Sequence, residues 1–125
     1  MEQRFTYDVD RRFLAFLLPL GFRSSKDGVT ITAAAELIVT FGFLSLRTRM
    51  DNIEDAHITR DYRWWTAIGA RMSFVDDGLT FGTNAKAGVC IHFRARVPSA
   101  LRRKGHSALT VTVEDLDGLV GALGR

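Results

Sequence analysis

A single cysteine, Cys90, stands in this chain of 125 residues. No internal disulfide can form, and a reducing compartment, the cytoplasm, is the simplest expectation. Proline is scarce, and one of the two, Pro19, interrupts the longest apolar run, positions 13–20. That run has roughly half the length a membrane span needs. It follows Arg11-Arg12 as a signal peptide would, but Gly21-Phe22-Arg23-Ser24-Ser25-Lys26 makes a poor cleavage region. One or two helical turns, or a buried strand closing one end of the core, are expected instead. Nucleotide-binding glycine motifs are missing too: no GxxxxGK[ST] occurs, and no GxGxxG lies between strand and helix. The most informative absence is of acid. Between positions 78 and 113 there is no Asp or Glu, although the chain has fourteen of them.

That acid-free stretch carries six cations: Lys86, Arg94, Arg96, Arg102, Arg103 and Lys104. The charge is sorted along the chain, while the net charge is only +3. Bulk affinity for nucleic acid is therefore not expected. A basic side would instead attract an anionic partner. With 46% hydrophobic and 25% charged residues the chain sits at the globular average, so one domain spanning 1–125 is expected to fold throughout.

Val89-Cys90-Ile91-His92-Phe93-Arg94-Ala95-Arg96-Val97 alternates apolar and polar without a break. This is the period of a strand with one buried and one wet face, and it places Cys90, His92, Arg94 and Arg96 together on the wet one. Phe5-Thr6-Tyr7-Asp8-Val9 reads as a first strand, with Asp10 a candidate cap for the apolar turn after it. Lys26-Asp27-Gly28 is turn chemistry, followed by a strand at Val29-Thr30-Ile31-Thr32. Ala33-Ala34-Ala35-Glu36, flanked by β-branched residues, reads as a hairpin connection. The apolar register of Leu37, Val39 and Phe41 slips at Gly42 and resumes at Leu44, Leu46 and Met50, as at a bulge or tight turn. Met50-Asp51-Asn52-Ile53 turns the chain into a short strand at Ala56-His57-Ile58-Thr59. Arg60-Asp61-Tyr62-Arg63-Trp64-Trp65 reads as an irregular corner. Strands at 71–75 and Leu79-Thr80-Phe81 flank an Asp76-Asp77-Gly78 hairpin turn. Positions 98–106 read as a long connection to Leu109-Thr110-Val111-Thr112-Val113. A helix over 114–123 presents Leu116, Leu119, Val120 and Leu123 at helical spacing, its three acids in the first turn and Thr112 with Asp115 as a capping box.

This order, an N-terminal strand and apolar segment (1–22), short strands over 28–113 and a closing helix, predicts an α+β, mostly β fold. It resembles the small pleckstrin-homology-like (PH-like) barrel of about seven antiparallel strands with a C-terminal helix. Trp65-Thr66-Ala67-Ile68-Gly69-Ala70-Arg71-Met72-Ser73, Gly78-Leu79-Thr80-Phe81, Gly88-Val89-Cys90-Ile91-His92-Phe93 and Leu109-Thr110-Val111-Thr112-Val113 are similar to an uncharacterised actinobacterial protein family. The resemblance covers most of the chain after about residue 20. It implies a fold and no activity.

On function, the residues favour a non-enzymatic binding module. Its expected binding residues are Arg63, Trp64, Trp65, Lys86, His92, Arg94, Arg96, Arg102, Arg103 and Lys104, and its expected partner is a protein or an anionic lipid headgroup, with homo-oligomerisation left open. Exposed aromatics beside arginines serve as contact points, although adjacent tryptophans also plug cores and edge cations also keep strands from pairing with other chains. An enzyme using Cys90 and His92 is the alternative, as is a carrier enclosing a small apolar ligand. Strand neighbours two apart project in parallel, so no catalytic residue is assigned. His57, His92, His106 and Cys90 lack HxxxH or CxxC spacing, so no metal or cofactor is assigned either.

Overall fold

Leu37, Val39 and Phe41 alternate with Ile38 and Thr40, and in the computed structural model of the chain they form the buried side of a strand. Residues 2–9, 11, 17–23, 26–60, 69–72, 78–83, 87–99 and 102–124 are described. The strands are β1 (Gln3–Thr6), β2 (Gly28–Ile31), β3 (Glu36–Phe41), β4 (Leu44–Arg49), β5 (Ile53–Arg60), β6 (Gly69–Met72), β7 (Leu79–Gly82), β8 (Ala87–Ser99) and β9 (Arg102–Val111). A helix, α1 (Leu116–Leu123), follows them. The strands form a four-stranded sheet in the order β1-β2-β3-β4 and a five-stranded sheet in the order β5-β8-β9-β7-β6.

The mostly β, α+β class is as expected, but the closed antiparallel barrel is not found. Among the described residues there are two sheets, more strands than the expected seven, and a parallel pair, β7 with β9. β9 is also longer than expected. Positions 102–106, read as connection, belong to this strand, so β8 and β9 form one long hairpin. The chain reverses at β8 and again at β9, which leaves β9 parallel to β7 where the two lie side by side.

The sheets face each other across a core of their alternating apolar residues. Phe41 of the first stacks on Phe81 of the second with ring centroids 5.0 Å apart. Tyr7 and Phe22 complete the aromatic cluster, each within 5.7 Å of Phe41. Burial, and then the negative charge of Asp27, push the Tyr7 hydroxyl well above the usual tyrosine range. This hydroxyl donates to the Thr40 carbonyl at 2.8 Å. A seam joins the sheets: Tyr7 bridges Val113, Asp8 N–H donates to the Thr112 carbonyl and Glu114 N–H to the Thr6 carbonyl, both at 2.8 Å. The buried Thr83 and Thr112 hydroxyls, 2.8 Å apart, tie in the end of β7.

Several turns follow the residue chemistry. Gly42, at φ 62°, turns β3 into β4 where the apolar phase slips. The alanine run is a hairpin connection, with Ala35 at φ 61°. Met50–Asn52 is a 3-10 turn, and so is Leu18–Leu20, the described end of the apolar run. Asp27 does more than turn the chain. Fully buried, its Oδ2 accepts the N–H groups of Arg23 at 2.8 Å and Gly42 at 3.0 Å, tying the segment before β2 to the β3–β4 turn. The helix also differs from expectation. Asp115 is itself the N-cap, accepting from Gly118 N–H at 2.9 Å, and Asp117 is the acid of the first turn. Thr112 makes no capping box because its hydroxyl is spent on Thr83. Leu119 and Leu123 are buried against the core, Leu116 and Val120 partly so. Asp10, positions 12–16, the corner at 61–68 and the turn at 76–77 lie outside the described residues.

Candidate functional site

The expected alternation of β8 holds over its first part. Val89, Ile91 and Phe93 are buried, whereas Cys90 and His92 are half-buried on the opposite face and Arg94 and Arg96 are exposed. Val111 and Val113 complete the buried set.

On the outer face β8 lies between β5 and β9, and its register with β5 sets His57 opposite Cys90 and Asp55 opposite His92. A shift in pairing between Ile53 and Asp55 precedes this stretch. Directly opposed side chains on one face of an antiparallel pair stand about 5 Å apart at Cβ, close enough for their tips to meet. They do meet. Sγ of Cys90 lies 3.6 Å from Nε2 of His92, so these strand neighbours converge where parallel projection was expected. Nδ1 of His92 donates to Oδ1 of Asp55 at 2.7 Å, which in the neutral ring leaves the Nε2 lone pair facing the sulfur. Nδ1 of His57 lies 3.9 Å from the same carboxylate oxygen, and the His57 and His92 rings are 5.4 Å apart at their centroids. One donor atom each from His57, Cys90 and His92 lie within 4.8 Å of one another. The lack of metal-ligand spacing in the sequence is thus made good by cross-strand pairing. His106 stands elsewhere: it is buried on β9, with Nε2 2.7 Å from the Ser99 hydroxyl.

Beyond Phe93 the strand leaves β5 behind and continues with β9 as a ribbon. Asn52 closes the junction. Its side-chain amide donates to the Ala95 carbonyl at 2.9 Å and accepts from Ala95 N–H at 2.8 Å, standing in for the next residue of a strand partner. The ribbon changes register twice between His92 and Ser99. Gly105 makes this possible: at φ 96° it lies so close to β8 that a Cβ there would sit 2.7 Å from that of Arg96. Inward-facing Val97 and His106 anchor the ribbon, and Arg94, Arg96, Arg103 and Lys104 are exposed along it. Arg102 pairs with Ser99 at its far end. Lys86, Arg63, Trp64 and Trp65 lie outside the described residues.

Some cations elsewhere on the surface have acidic neighbours, although the exposed Arg4, Arg11 and Arg23 are, among the described residues, in no ion pair. Arg47 of β4 forms a two-pronged pair with Glu36, whose carboxyl this hydrogen bonding holds below the usual glutamate range, and Arg49 pairs with Asp51. Among the described residues, Arg94, Arg103 and Lys104 are in no ion pair. β8 and β9 themselves contain no acid. Asp55, Asn52 and the register that assembles the cluster were not found from sequence; the signal available was that Ala56-His57-Ile58-Thr59 alternates, which turns His57 outward. No protein-family model, curated protein or solved structure matches the chain.

Proposed function

We propose that this chain is a non-enzymatic binding module that engages an acidic protein surface through the β8–β9 ribbon. One observation carries the reading: Arg94, Arg103 and Lys104 are exposed and, among the described residues, without an acidic partner, in contrast to the paired arginines of β4. Unneutralised charge on one projecting ribbon gives a directed field, which steers and orients an anionic partner. A protein partner fits better than a lipid surface, because membrane-lying faces combine cations with inserted apolar side chains. The exposed large hydrophobics among the described residues, Leu18 and Phe43, belong to the other sheet's end and not to the ribbon. The mostly β body with a C-terminal helix agrees with the PH-like actinobacterial family that the sequence resembles, and the open two-sheet arrangement and the parallel β7–β9 pair are departures from it. A cytoplasmic location goes with the single cysteine.

The aligned Cys90, His92 and Asp55 favour a second reading, thiolate catalysis, since a base in reach of sulfur and a carboxylate orienting it are its first two requirements. At Cys90, however, β8 is paired on both sides, which commits its backbone N–H groups to the ladders and not to a developing oxyanion. As for a carrier, Phe22, Phe41 and Phe81 are buried in the core, which does not favour it. The test is capture of partners from a native extract with wild type and with Arg94→Glu/Arg103→Glu/Lys104→Glu. Retained proteins should elute with salt and be lost in the variant, at unchanged Tm. Identical capture by both, or binding confined to anionic lipid vesicles, would overturn the reading. Rapid selective alkylation of Cys90 near neutral pH, with loss of function in Cys90→Ser, would favour the enzyme.

A further inference from the structure

The outer-face cluster is independent of the ribbon and carries an inference beyond the binding-module reading. We propose that His57, Cys90 and His92 bind a thiophilic divalent transition metal, Zn²⁺ by preference, with Asp55 holding His92 in the liganding orientation. The geometry comes first. A tetrahedral metal about 2.3 Å from sulfur and about 2.0 Å from nitrogen separates those two donors by roughly 3.5 Å. Sγ of Cys90 and Nε2 of His92 are 3.6 Å apart. The donor of His57 is within 4.8 Å of the others, and its side chain is 55% exposed, so a small rotation about its side-chain bonds completes the set.

The chemistry of the donors selects the ion. One thiolate with two imidazoles suits Zn²⁺ and its neighbours, whereas Mg²⁺ and Ca²⁺ require oxygen. The hydrogen bond from Nδ1 of His92 to Asp55 is the carboxylate–histidine contact that metal-bound histidines make, fixing the ring and raising the basicity of the other nitrogen. On binding, the Cys90 thiol gives its proton to solvent and the thiolate forms the metal–sulfur bond. Three protein ligands leave one tetrahedral position for water. The ion would link β5 to β8, adding positive charge to the face that continues into Arg94 and Arg96.

The test uses the purified full chain after chelator treatment. Titration with Co²⁺ should produce a thiolate-to-cobalt charge-transfer absorption that saturates at one ion per chain. Zn²⁺ should displace it, and Mg²⁺ in large excess should not. Zn²⁺ should also protect Cys90 of the wild-type chain from iodoacetamide, a readout that needs no variant. Cys90→Ser should abolish the charge-transfer absorption and lower Zn²⁺ affinity by roughly a hundredfold or more, and Asp55→Asn should lower it roughly 10- to 100-fold. Lys104→Ala should leave it unchanged. No charge-transfer absorption in the wild type, alkylation equally fast with and without Zn²⁺, or Zn²⁺ affinity unaltered in Cys90→Ser would each overturn the site.

Discussion

The two halves of β8 share one alternating pattern and live in different surroundings. Up to Phe93 the strand is flanked by β5 and β9, so each outward side chain has a cross-strand neighbour at a set position. Here a histidine, a cysteine, a second histidine and an aspartate become a cluster with defined distances. Past Phe93 the flank of β5 is gone, and Asn52 bridges only the first step. The outward residues there project as charges, shaped by β9 alone. Identical periodicity thus yields a constructed site where a strand is paired on both sides, and a steering surface where it is paired on one.

The largest effect that could break this comparison lies at its boundary. Phe93→Ala should cost about 3 to 5 kcal/mol in chemical denaturation, since it opens a cavity in a single core, whereas Arg94→Ala should change stability by less than about 0.5 kcal/mol. Equal losses would mean that the faces of β8 are wrongly assigned. Gly105→Ala should cost about 3 kcal/mol, because it combines a left-handed backbone with a contact against the Arg96 backbone that cannot move aside. Asn52→Ala should cost about 1 to 2 kcal/mol and raise amide exchange at Ala95, while exchange at Ile91 stays slow. If both amides loosen together, the halves form one cooperative unit and the contrast between them fails.

Smaller effects sharpen the difference between paired and unpaired cations. The Glu36 carboxyl is held low by Arg47, so its contribution to stability is full above the ordinary glutamate range and is lost as pH falls through the depressed value. Glu36→Gln should therefore flatten part of the acid limb of a stability–pH profile, and Arg94→Gln should leave that limb as it is. A change of profile in Arg94→Gln would reveal an acidic partner for the ribbon within the chain. Smallest of all, Cys90→Ser should leave Tm within a degree or two of wild type without added metal, by the usual scale of a near-neutral substitution in a domain this size.

Much of the fold was legible because alternation is a local property. Val29, Leu37, Val39, Phe41, Leu46, Val89, Ile91, Phe93 and Val111 are buried, as their positions within alternating runs indicated. The helix was equally legible from the spacing of Leu116, Leu119, Val120 and Leu123. What misled was polarity: Arg102, Arg103, Lys104 and Gly105 read as a loop, yet they form strand because the ribbon edge is wet and a glycine bulge absorbs the register change. Asp27 looked like a turn former for the same reason, since nothing local says that its carboxylate will be enclosed by two backbone donors.

By itself the sequence determined which residues face outward along β3 and the first part of β8, and that the cations of β8 and β9 would find no acid within their own hairpin. Both follow from neighbours along the chain. Tertiary structure alone decided that His57 would stand opposite Cys90 and Asp55 opposite His92. Pairing register is set by how β5 and β8 bury their inner faces together, and a shift of one residue would turn His57 and Asp55 to the core side. The outer cluster is therefore a consequence of inner packing, and its chemistry comes into being only when the two strands meet.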